Sequence, residues 1–209
     1  MNNYSKNEDG IIYQIEKSVV DYNENYVNTR YVNYGELPTY MGYLRLGNII
    51  GSIGRVPDSI LDVGYGDGSF LKVCKGIIDK CSGLDITNFS LPEGCNFVED
   101  FSKFHDVITF FDSLEHFEEI EFVKDLKCNY VCISVPHCHN KSEEWFMNWK
   151  HRRPDEHLWH FDDDSLYNFM KRMGYKFVSS SNLEDTIRKN KEEETNILTT
   201  MFKKETKGV

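Results

Sequence analysis

The sequence predicts an α/β fold: a doubly wound, mostly parallel sheet with helices on both faces and an N-terminal helical cap. Three observations carry this. From residue 58 onward, apolar runs of strand length alternate with stretches of helical period. Runs such as Val107-Ile108-Thr109-Phe110-Phe111 and Tyr130-Val131-Cys132-Ile133-Ser134-Val135 are apolar almost without a break, as strands buried on both faces are. The first such run passes through Gly64, Gly66 and Gly68 directly into a helical pattern, which marks a strand, a tight turn and a helix.

Each element has its own signal. Residues 1–30 are rich in Asn, Tyr and charge, so the first ten are expected to be loose. Asp21 to Tyr26, with Arg30 and Tyr31, read as an aromatic segment laid over the core. Met41, Leu44, Ile49 and Ile53 give a helix from Tyr40 to Ile53, ended by Pro57. Residues 1–56 lack the apolar content for a core of their own and form a cap segment, and 57–209 form the main domain.

Strand one spans about 59–63, and Phe70, Leu71, Cys74, Ile77 and Ile78 line one face of the helix after it. Gly83–Ile86, Asn96–Asp100, Asp106–Phe111 and Tyr130–Val135 are strands two to five. A helix then opens on Asp162, Asp163 and Asp164, buries Leu166, Phe169, Met170 and Met173, and stops at Gly174. Tyr175–Ser180 is strand six. Eight of the eleven residues 184–194 are charged, which reads as a solvated connection to a seventh, antiparallel edge strand over Ile197–Phe202.

With 209 residues the chain can bury one substantial core. Its net charge of −10 disfavours nucleic acid as a partner, though it leaves room for a local basic patch. The six cysteines form no CxxC pair and lie in apolar patterns, as reduced core thiols do. No signal-like or membrane-length apolar stretch is present, so the expectation is a soluble, cytoplasmic protein without a membrane partner.

The chemistry concentrates in Ile60-Leu61-Asp62-Val63-Gly64-Tyr65-Gly66-Asp67-Gly68. A dinucleotide site would place its third glycine one residue later, for close helix packing under a pyrophosphate. Here the spacing is GxGxG, and Asp62 at the strand end repels phosphate but suits a cation. S-adenosylmethionine fits, since it carries an ammonium and a sulfonium and no phosphate. The plainer reading is a turn and nothing more.

On these residues the chain resembles the Rossmann-like, S-adenosylmethionine-dependent methyltransferases of class I over about 58–181. That fold has seven strands ending in an antiparallel hairpin. The resemblance implies that Asp62, Gly64, Gly66 and Gly68 hold the methionine end of the cofactor. It implies that Asp85, 23 residues after Asp62, meets the ribose, with Ile86 beside it, and that Asp100 and Phe101 meet the adenine. Asp112 joins this cofactor set at the end of strand four. For Asp85 and Asp100 the plainer role is to start a turn or end a strand.

Asp112-Ser113-Leu114-Glu115-His116-Phe117 and His157-Leu158-Trp159-His160-Phe161 look like segments of small-molecule and sugar methyltransferases in this class. His116 is the candidate base, since a neutral imidazole can take the proton of an attacking hydroxyl. Alternatively Glu115 and His116 only open a helix and orient each other. Asp112, Glu115, His116 and His157 also resemble the metal-binding set of small-RNA 3′-terminal 2′-O-methyltransferases, with Asp112 where that family has Glu. Trp145, Trp149 and the following Lys150-His151-Arg152-Arg153 either hold a sugar and a phosphate or cover the sheet with solvated charges.

The resulting expectation is methyl transfer from S-adenosylmethionine to an oxygen, less readily a nitrogen, of a small-molecule or sugar acceptor, with no metal. The alternatives are a metal-assisted RNA 2′-O-methyltransferase and a non-catalytic, cofactor-binding regulatory protein.

Overall fold

The computed structural model describes residues 3–18, 36–87, 89–188 and 194–205. Ten strands and five helices are described. In chain order they are β1 (Tyr4–Lys6), β2 (Ile12–Gln14), α1 (Leu37–Ile53), β3 (Ile60–Val63), α2 (Ser69–Lys75), β4 (Cys81–Leu84), β5 (Asn96–Phe97), β6 (His105–Phe111), β7 (Cys128–Pro136), α3 (Glu143–Asn148), β8 (Trp159–His160), α4 (Asp163–Arg172), β9 (Tyr175–Ser181), α5 (Leu183–Arg188) and β10 (Ile197–Lys204). Short 3-10 turns at Leu114–His116 and Glu121–Asp125 follow β6.

Seven strands form one sheet in the order β5-β4-β3-β6-β7-β10-β9. The pairs from β5 through β7 are parallel, and β10 runs antiparallel to both β7 and β9. This is the doubly wound, Rossmann-like sheet that the apolar runs predict. Alternation along the strands splits the core in two. Leu61, Val63, Ile108, Phe110, Val131 and Ile133 pack with Leu166, Phe169 and Met170 of α4 on one face. Ile60, Val107, Phe111 and Cys132 pack on the other face with Leu46 and Ile49 of α1 and Phe70, Leu71 and Cys74 of α2.

The best-marked helix is also the best capped. Asp162 accepts from the Ser165 amide while the Ser165 hydroxyl answers the Asp162 amide, a reciprocal capping box at the start of α4. α1 begins earlier than predicted, at Leu37 with Pro38 in its first turn, and stops at Gly54 in the left-handed conformation before reaching Pro57. α2 ends at Gly76, so Ile77 leaves the buried face and is half exposed.

Three expectations are corrected. Residues 3–10, expected to be loose, are ordered into structure: β1 and β2 pair antiparallel, and β2 pairs in turn with β8, placing Ile12 opposite His160. Asn7 caps the connecting turn, and Asp9 receives three hydrogen bonds from Arg172. The charged stretch after β9 is not a solvated connection throughout. Its first part is α5, where Glu184 is fully buried and Asp185 nearly so. β10 is not an edge strand. Its first six residues are buried, as an interior position requires, whereas β9 carries the exposed Lys176 and Phe177 that suit an edge. The aromatic segment expected at 21–31 lies outside the described residues.

Candidate active site

The parallel strands end along one edge of the sheet, and the loops leaving that edge hold the sequence-predicted residues. After β3 the chain turns through Gly64, Gly66 and Gly68, all with positive φ (76°, 54° and 73°). At Gly64 a Cβ would lie 2.6 Å from the Ser113 Cβ, so both conformation and space demand glycine. Asp85, just past β4, ties down this turn by accepting from the Gly66 amide at 2.9 Å. Its other oxygen accepts from the Thr87 amide and hydroxyl. Ile86 beside it presents an apolar side chain that is 77% exposed.

Asp62 is buried at the end of β3 and accepts a 2.6 Å hydrogen bond from Thr109 of β6. Burial pushes its carboxyl up to about 6, against the opposing pull of the Thr109 hydroxyl and the Arg45 charge. An acid left in that state is stabilised in its charged form by an arriving cation.

Asp100 is exposed, and its carboxylate is held low by the Ser102 amide and hydroxyl. Phe101 stacks one ring face on Phe122, with centroids 5.1 Å apart at 14°. Asp112 leaves β6 with φ of 53° and does not stand alone. Arg188 donates to it at 2.6 Å and Arg45 at 3.4 Å. Burial alone would raise the Asp112 carboxyl, but these two guanidiniums outweigh it and hold the group below the usual carboxylate range. Glu184 binds the same two arginines. Sequence reading missed Arg45, Glu184 and Arg188. The i, i+4 spacing of Glu184 and Arg188 was visible, but Arg45 is 139 residues away from Glu184.

Just beyond Asp112 lies the 3-10 turn Leu114–His116. His116 meets the ring of His157 edge-on, with centroids 4.7 Å apart and planes at 90°, and lies 3.9 Å from the Glu115 carboxylate. Glu115 is 1% exposed, and neither carboxylate oxygen has a hydrogen-bond partner. Burial, reinforced by the nearby Asp112 charge, raises its carboxyl well above the usual range. His157 donates from Nδ1 to the His151 carbonyl at 2.7 Å, which leaves the Nε2 lone pair as its acceptor. Burial, with the neighbouring His116, lowers its pKa to about 3, so the ring is neutral at physiological pH. One ligand-type atom from each of Glu115, His116 and His157 falls within 4.8 Å of the others.

Two members of the basic cluster meet neighbours of their own. Arg152 lies over the Tyr4 ring and donates to its hydroxyl, and Arg153 pairs with Glu156.

Sheet order and the glycine turn after β3 define the doubly wound class of α/β protein, in which ligands bind at the carboxyl ends of the strands. The sequence matches the methyltransferase domain over residues 42–180, and the chain belongs to that family. It is a methyltransferase with S-adenosylmethionine as its cofactor. The residues present fit that group: a positive-φ glycine cradle and a carboxyl whose burial raises it, so that a cation beside it would be favoured.

Solved structures are similar in fold. Burkholderia thailandensis 1,6-didemethyltoxoflavin-N1-methyltransferase, with its substrate and S-adenosylhomocysteine bound, aligns with a TM-score of 0.60 at 13% identity over 98% of this chain and 100% of that one. An S-adenosylmethionine-dependent methyltransferase from Clostridium acetobutylicum gives 0.60 at 9% identity, covering 87% and 98%. The methyltransferase domain of bacterial CtHen1-C gives 0.55 at 14% identity, covering 81% and 100%. No curated protein matches the sequence significantly. No helix among the described residues is long and apolar enough to cross a membrane.

Proposed function

We propose that this enzyme transfers the methyl group to an oxygen, less readily a nitrogen, of a small-molecule or sugar acceptor in the cytoplasm. The observation that carries the reading is His116, set at the carboxyl end of β6 beside a neutral, tautomer-fixed His157. S-adenosylmethionine, when bound, supplies a methyl carbon on a positively charged sulfur that the acceptor oxygen displaces in line. Asp62 and the turn Gly64, Gly66 and Gly68 hold the methionine end, with Asp112 poised through its arginine pairs. Asp85 and Ile86 hold the ribose side, and Asp100 and Phe101 the adenine. His116 takes the proton of the acceptor hydroxyl as the new C–O bond forms. Such base assistance is typically worth ~10²–10⁴ in rate. Much of the remaining acceleration comes from alignment, up to roughly 7–11 kcal/mol for well-oriented groups.

A second reading has its own observation, the buried Glu115 carboxylate whose oxygens accept no hydrogen bond. Glu115, His116 and His157 would hold a divalent cation, with the His151 carbonyl fixing the His157 tautomer as ligand histidines require. Such an ion would supply Lewis acidity to acceptor hydroxyls, as in RNA 2′-O-methyl transfer.

One experiment separates the readings: transfer of labelled methyl to methyl glycosides, nucleotide sugars and short RNAs, with and without chelator. Transfer to a sugar that survives chelation and falls about 10²-fold or more in His116→Ala supports the first reading. Loss in chelator with rescue by a divalent ion supports the second. Adenosylhomocysteine binding without transfer to any acceptor would make the chain a regulatory binder.

A further inference from the structure

A cavity of ≈ 360 Å³ beyond the ends of β7 and β10 is lined by His139, Trp145, Asn148, Trp149, Thr195 and Asn196, with Lys150 and Glu194. Its position follows from the fold. His139 lies three residues past the carboxyl end of β7, and Asn196 immediately precedes β10, which enters from that same end because it runs antiparallel to β7. The other wall is α3, capped by the Ser142 hydroxyl, which accepts from the Trp145 amide. Phe146 is the buried face of this helix, packed edge-on against Tyr4 and His160. Trp145 and Trp149, four residues apart, are therefore left together at the cavity, half-buried and stacked at 5.4 Å and 24°.

A chain of hydrogen-bonded and touching side chains links the cavity wall to His116. His151 Nε2 donates to the Asn196 side-chain oxygen at 2.8 Å, and the His151 carbonyl accepts from His157, whose ring meets His116. The lining combines flat aromatic surface with a hydroxyl, two side-chain amides and an imidazole, groups that serve as donors and acceptors alike. Its two charged members, Lys150 and Glu194, are of opposite sign, and Glu194 pairs with Lys141. The charged side chains of the lining thus sum to zero, which gives a phosphate or other strong anion no net positive charge to favour it. A neutral polyhydroxylated ring meets both requirements: its C–H face covers an indole, and its hydroxyls give and take hydrogen bonds at the rim.

We infer that this cavity seats a sugar ring of the acceptor, stacked on the Trp145–Trp149 surface and held at its hydroxyls by Asn148, Thr195 and Asn196. The inference rests on the oxygen-methylation reading and names its acceptor class and subsite. The test is tryptophan-fluorescence titration of the adenosylhomocysteine-loaded protein with methyl glycosides of glucose, galactose, mannose and rhamnose. At least one glycoside is expected to quench saturably. Its affinity should weaken about tenfold or more in Trp149→Ala and in Asn148→Ala, while adenosylhomocysteine affinity by calorimetry stays within twofold. Absence of saturable quenching, or quenching that both variants leave unchanged, overturns the sugar subsite. Failure of adenosylhomocysteine itself to bind the folded wild type would instead bring down the functional reading beneath it.

Discussion

At the scale of single residues, the most exposed consequence of the proposed site lies in Asp62. Burial raises its carboxyl from 3.8 to about 6, a rise equivalent to roughly 3 kcal/mol between charged and neutral forms. Because the folded pKa is raised, this group's contribution to stability is full below about pH 3.8 and is lost as pH climbs through about 6. Removing the charge while keeping the shape therefore helps the empty protein. Asp62→Asn should be more stable than the wild type at pH 8 by roughly 1–3 kcal/mol in urea denaturation, with little difference at pH 4. The same variant should bind adenosylmethionine more weakly, since the cation that relieves the buried carboxylate no longer finds it. In the wild type, affinity should rise as pH passes upward through about 6. A variant that is destabilised at pH 8 and binds as before would remove Asp62 from the cofactor site.

At the scale of elements, α1 and α5 are joined to the end of β6 by four charges. Glu184 accepts from Arg45 at 2.7 and 3.0 Å and from Arg188 at 2.7 and 3.2 Å, and the same arginines reach Asp112. Two carboxylates against two guanidiniums leave the group neutral, which is how four charges can share a partly buried site. Arg45 also lies over the Phe111 ring at 4.2 Å, adding a cation–π contact on its apolar side. Glu184→Ala should cost about 3–5 kcal/mol, because two guanidiniums are left to one carboxylate. Chemical denaturation checks this, and a loss below about 1 kcal/mol would mean the quartet does not hold α5 to α1.

For the molecule as a whole, the histidines at the junction of the two sheets decide acid behaviour. Burial lowers His157 to about 3 and His160 to about 4, so both are neutral when folded at physiological pH. Their folded pKa values lie below the unfolded value near 6.5. Their contribution is full above that pH and is lost as pH falls toward 4 and then 3. This trend has the opposite sign to that of Asp62. The thermal midpoint should therefore drop steeply between pH 6.5 and 4, and His157→Gln should flatten the drop even if it lowers the midpoint at pH 7. An identical slope in the variant would mean that the acid transition starts elsewhere.

The sequence by itself determined what depends on neighbours along the chain. The strand–turn–helix around Gly64, the near-unbroken apolar strands and the Asp162 cap were all legible, because period, capping and positive-φ turns are local properties. From them came the sheet class and the cofactor. Only the tertiary structure decided that Ile12 pairs with His160, that β10 lies inside the sheet, and that Glu184 in a charged run is fully buried. It alone brought Arg45 to Glu184 and set Arg152 over the Tyr4 ring. Pairing across more than a hundred residues, and the burial of a charge, depend on which surfaces meet once the core closes. A three-residue strand or a lone arginine carries no record of that meeting in its own neighbours.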